Sequence, residues 1–126
     1  MSLEYFAGVD YSITSPAICV HPDTPIWDSS KCEYLFFSEL VKHKKCVDSR
    51  VTSQVNVCSR EKYTQEQRIE KYLFNGKSSA NWLKSFNVTC CAIEGYSFGS
   101  KGSMSIQLGE NGGILRSKLV DHIIDF

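Results

Sequence analysis

Apolar residues fall into short runs separated by polar stretches of unequal length. The first run, Tyr5-Phe6-Ala7-Gly8-Val9, closes on Asp10 and predicts a strand over 5–12. Pro16 to His21 predicts a second, and the polar link Ser12-Ile13-Thr14-Ser15 makes the two a hairpin. Between Pro22 and Lys31 lie two prolines, two aspartates and two serines, a loop composition. Cys32-Glu33-Tyr34-Leu35-Phe36-Phe37 then has the aromatic content of a third strand. Three strands in meander order open the chain.

From Val41 to Lys62 neither a period of 2 nor one of 3.6 persists, which predicts a long excursion. A Thr64-x-x-Gln67 capping box follows. Ile69, Leu73, Ala80, Leu83 and Phe86 fit one helical stripe, either on a single helix carrying Gly76 or on two helices divided at Asn75–Ser79. Val88 to Glu94 predicts a fourth strand, and Gly95 to Gly102 a glycine- and serine-rich loop. Ser103 or Ser105 caps a last helix with Ile106, Gly109, Gly113 and Leu119 on one face, the glycines allowing close approach to the sheet. Ile123 to Phe126 either prolongs that helix or opens a fifth strand. At 126 residues this makes one α/β domain over 1–126, with a single core.

Composition narrows the function classes. Fourteen basic and fourteen acidic side chains cancel, so contact with a polyanion has to come from local patches. The six cysteines contain no C-x-x-C pair and no histidine cluster at zinc spacing. Cys19, Cys32, Cys90 and Cys91 sit in apolar runs, where reduced thiols act as small hydrophobes. No apolar run approaches the ~20 residues that span a bilayer, so no membrane partner is expected. Glu4 and Asp10 interrupt any signal-peptide core, and the chain reads as cytoplasmic.

The candidate chemistry lies in two acids, Asp10 and Glu94, each ending an apolar strand. A carboxylate there is costly unless it binds a cation, meets a positive partner or does chemistry. Neighbouring strands are about 4.8 Å apart, so if these two are adjacent their acids converge on one hard divalent ion. The bland alternatives are a turn aspartate at Asp10 and a lysine-paired acid at Glu94.

Three pieces of sequence carry a resemblance: Gly8-Val9-Asp10-Tyr11-Ser12-Ile13-Thr14-Ser15-Pro16-Ala17, Ala92-Ile93-Glu94-Gly95-Tyr96-Ser97-Phe98-Gly99, and Gly109-Glu110-Asn111-Gly112-Gly113-Ile114-Leu115. In this order the chain resembles the RuvC-like Holliday-junction resolvases of the ribonuclease H-like superfamily, phage-type members especially. The resemblance implies a mixed sheet of strand order 3-2-1-4-5 whose first three strands form the antiparallel meander, with flanking helices. It also implies a structure-selective DNA endonuclease using Mg2+ or Mn2+ in a two-metal mechanism. Asp10 becomes the carboxylate shared by both ions, Glu94 the second ligand, and Glu110 a further catalytic acid on a helix near the site. Ser12, Tyr96, Ser100, Lys101, Arg116 and Lys118 become contacts to branched DNA, with Lys42, Lys44 and Lys45 as further basic positions.

Resolvases of this kind act as homodimers, in bacterial or phage-infected cells. Family members continue into the rest of a fifth strand and a helix bearing one or two more catalytic aspartates. Here those acids are expected from a continuation or a second chain. Without them the resemblance leaves a module that binds branched DNA or a partner protein and does not cut. A sugar-kinase or actin-like phosphotransferase fragment is a remoter reading. Its phosphate loop needs a glycine that Gly8-Val9-Asp10-Tyr11-Ser12-Ile13-Thr14 lacks.

Overall fold

The structure is a computed structural model describing residues 3–39, 42, 48–55, 64–95 and 102–126. Strands β1 (Tyr5–Asp10), β2 (Ala17–Pro22) and β3 (Glu33–Ser38) form the expected antiparallel meander. Next come β4 (Val51–Val55), helix α1 (Gln65–Ser85), strand β5 (Val88–Ile93) and helix α2 (Ser103–Asp121). The sheet order is β4-β3-β2-β1-β5, with β4 parallel to β3 and β5 parallel to β1. Taken in chain order without β4, this is the predicted 3-2-1-4 arrangement.

Strand β4 corrects the reading of 41–62 as a strandless excursion. Its sequence, Val-Thr-Ser-Gln-Val, lies at the sheet edge with four of five residues half-buried, so no alternation of apolar and polar positions marks it. Asp48 and Arg50 close the turn before it through a 2.9 Å ion pair, which holds the Asp48 carboxyl down at about 2.

Helix α1 runs unbroken through Asn75–Ser79, its first turn locked by the Thr64/Gln67 capping box. Ala80 and Leu83 of the predicted stripe are buried and Phe86 packs against the core, while Tyr72, Asn75, Gly76 and Ser79 complete the buried face and Leu73 is exposed. Lys71 is also buried, in an ion pair with Glu39 beyond β3. Helix α2 starts from Gly102 at φ +64°, a left-handed conformation suited to glycine, and this glycine takes the N-cap place expected of Ser103 or Ser105. Its core residues are Asn111, Leu115 and Leu119, whereas Ile106 is exposed and Gly109 and Gly113 face open space. The close approach occurs between the helices, where a Cβ on Gly76 would lie 3.2 Å from Ile114 Cγ2.

Both helices pack on one face of the sheet. Ala7, Val9, Ile18, Val20, Leu35, Phe37, Val88 and Cys91 meet Ala80, Leu83, Leu115 and Leu119 there in one apolar cluster. On the other face Phe6, Gly8, Cys90 and Ala92 are exposed in alternation with the core positions. Segment 23–32 covers the far end of that face, stacking Trp27 on His21 at 4.3 Å between ring centres. No helix of the described residues is long and apolar enough to cross a membrane.

Of the two alternatives for residues 123–126, the strand is realised as a bridge. Ile123 takes φ +57°, which turns the chain out of α2 and lets Ile124 bury. Asp125 then pairs in parallel with β5, its N–H donating to Thr89 O and its carbonyl accepting from Cys91 N, both at 2.8 Å.

The left-handed backbone is costly for a β-branched residue, and Ile123 is 83% exposed. Ile123→Gly should therefore raise stability by roughly 0.5–1 kcal/mol in urea denaturation, after allowing for glycine's greater unfolded-state entropy. Cys90 is exposed, while burial hides Cys91 and pushes its thiol up to about 11. Iodoacetamide at pH 8 should alkylate Cys90 well before Cys91, as read by peptide mass spectrometry.

Candidate metal centre

The parallel register of β1 and β5 pairs Gly8 with Ala92 and Val9 with Ile93. One further hydrogen bond, from Glu94 N to Val9 O at 3.1 Å, carries the ladder past the end of β5. Asp10 and Glu94 are thus the next pair in register. Both acids are exposed and lie at the carboxyl ends of neighbouring parallel strands. Asp10 and Glu94 line one pocket of about 170 Å³, ample for a hydrated ion.

The rest of the pocket wall comes from the turn after β1 (Tyr11, Ser12), from Ile93 and Gly95, and from α2. Leu108, Gly112 and Arg116 recur every four residues, which sets them on one stripe of the helix. Arg116 donates to Gly112 O at 3.1 Å and lies 5.9 Å from the centre of the Phe126 ring. A guanidinium therefore borders the same pocket as the two carboxylates.

The helical period also sets two predicted residues away from the pocket wall. Glu110 is two positions from Gly112, about 200° around the helix, and its carboxylate faces α1, 3.5 Å from Arg68 Nε. Lys118 stands in the same relation to Arg116. It packs beside Gly76 and approaches Asp121 at 4.0 Å. Neither lines the pocket. Lys42 is exposed and also outside it, while Tyr96, Ser100, Lys101, Lys44 and Lys45 lie outside the described residues.

Sequence reasoning missed Tyr11, Gly112 and Asn111. Burial lifts the Tyr11 hydroxyl well above the ordinary tyrosine range, with the nearby Ser79 hydroxyl a weaker opposing influence. Asn111, 1% exposed, donates from Nδ2 to Ser12 O at 3.3 Å. The signal for both α2 residues was the Gly109-Glu110-Asn111-Gly112-Gly113 run, whose charged member drew the attention.

The donor set suits a hard divalent cation. Carboxylate oxygens are the ligands Mg2+ prefers, and an ion held by two of them keeps several waters. Among the described residues no three histidine, cysteine, aspartate or glutamate side chains gather into one metal-binding group.

No family model and no curated protein matches the chain. Among solved structures, the Thermus thermophilus RuvC in complex with a Holliday junction substrate superposes with a TM-score of 0.56 at 15% identity. That match covers 96% of this chain and 60% of the RuvC chain. A second T. thermophilus RuvC structure gives a TM-score of 0.53 at 14% identity, covering 95% and 60%. The fold is ribonuclease H-like. The chain spans about three fifths of the RuvC chains it matches.

If the paired acids hold the cation, neutralising either one removes half of the protein's ligands to it. Asp10→Asn and Glu94→Gln should each reduce Mn2+ affinity in titration calorimetry by at least about tenfold. Both acids are exposed, so the melting temperature should stay within a degree or two of the parent.

Proposed function

We propose that the chain is a divalent-metal-dependent nuclease domain acting on branched DNA, of the Holliday-junction resolvase type. The observation that carries this reading is the register of β1 and β5, which sets Asp10 beside Glu94 on one pocket wall with Arg116 on another. The RuvC structures support it through their common fold, and one of them holds a Holliday junction.

In this reading Asp10 and Glu94 hold Mg2+ or Mn2+. The bound ions supply an activated water and charge stabilisation at the leaving oxygen, in the two-metal manner. The chain's own part is to orient the phosphodiester and to offset its charge. Arg116 does this with a planar fork of donors matched to phosphate oxygens, held in place by Gly112 O and the Phe126 ring. Ser12 follows Asp10 at the pocket mouth, where its side-chain oxygen caps the turn by accepting from Ser15 N at 3.1 Å. A four-way junction offers two equivalent strands, so a homodimer is the expected working form, with further acids coming from a continuation or a second chain.

A second reading has its own support: two carboxylates alone hold Mg2+ weakly, which suits a module that binds branched DNA without cutting it. One experiment separates the two. Labelled four-way junction is incubated with the protein in Mg2+ or Mn2+ and resolved on native and denaturing gels. The nuclease reading expects nicked strands, lost in Asp10→Asn and reduced about 100-fold or more in Arg116→Ala. A retarded junction with intact strands in both metals selects the binding module. Absence of both retardation and nicking overturns the DNA reading altogether.

A further inference from the structure

Behind the pocket, between α1 and α2, lies an interior richer in polar atoms than packing requires. Tyr72 Oη, Asn75 Oδ1 and Asn111 Oδ1 are buried with no hydrogen-bond partner among the described residues, and the Tyr11 and Ser79 hydroxyls lie close to each other there. Tyr72, Asn75 and Ser79 follow helical spacing on the inner stripe of α1. Each such group costs about 1–3 kcal/mol when left unpaired, so apolar residues would fill the space with less penalty.

Within the cluster one side chain reaches the metal-centre turn. The Asn111 amide has two unlike ends. Nδ2 donates to Ser12 O, and Oδ1 is buried. The reverse orientation would oppose two oxygen acceptors at Ser12, so chemistry fixes the direction of the amide. Ser12 is two residues from Asp10, and the short Tyr11–Ser12 turn is the only backbone between the carboxylate and the anchored carbonyl.

We infer that Asn111 is a positioning residue for the Asp10–Glu94 pocket, clamping the turn after β1 so that the Asp10 carboxylate stays beside Glu94. This rests on the reading of that pocket as a cation site. Glu110, the neighbouring acid of the same run, serves the helix pair through Arg68.

The test compares Asn111→Ala with Ser79→Ala, which alters the same interior without touching Ser12. Calorimetric titration with Mn2+ alone reads ion affinity, and thermal melting reads stability. The clamp expects Asn111→Ala to weaken Mn2+ binding about tenfold while Ser79→Ala leaves it within about twofold, whatever each does to melting. Equal ion affinity in Asn111→Ala and the parent overturns it, as does an equal loss in Ser79→Ala. Should Asn111→Ala fail to fold, hydrogen exchange of the Asn111 side-chain amide in the parent decides: protection supports the clamp, and exchange at the free-amide rate overturns it. A parent protein that takes up no Mn2+ removes the cation reading of the pocket. The amide exchange then judges the clamp separately.

Discussion

Everything at the carboxyl edge of the sheet depends on the parallel pairing of β1 with β5. Parallel neighbours bring like ends together, and here both ends carry an acid. An antiparallel pair would have put Asp10 at one edge and Glu94 at the other. The parallel arrangement needs a long crossover, and α1 supplies it across the apolar face formed by Ala7, Val9, Val88 and Cys91. Burial of that face fixes the register, since a slip of one residue would turn Asp10 inward and Val9 to water.

The two helices divide the remaining work. They lie side by side in the same direction, as three contacts with nearly constant offset show: Arg68 with Glu110, Gly76 with Ile114, and Lys84 Nζ with His122 O. Gly76 brings them close, and α2 is left with one stripe on the core, one on α1 and one on the pocket. That partition explains how neighbours on one helix differ in role. Arg116 meets the site, Leu115 the core, and Lys118 the partner helix.

The strands, the capping box and the two strand-end acids were legible because each has a local signature: alternation, a fixed spacing, or a charge where an apolar run stops. β4 was not legible, because a half-buried edge strand of Val, Thr, Ser and Gln carries no alternation. The helix faces were misjudged for a related reason. In α1 the buried stripe includes, beside Ala80 and Leu83, the polar and small residues Asn75, Gly76 and Ser79, which a search for apolar spacing passes over. Leu73, apolar and in phase with the expected stripe, ended in water. Glu110 was chosen for its charge, yet its angular position on α2, which depends on where the helix meets the sheet, turns it to Arg68.

The hydrogen bond from Glu94 N to Val9 O has an evolutionary consequence. The contact that brings the two acids abreast is drawn wholly from main-chain atoms, to which the identity of the surrounding side chains is immaterial so long as one face stays greasy. Mutation can therefore exchange most of the chain's letters without parting the pair. Two chains agreeing at only 15% of positions can accordingly carry the same fold.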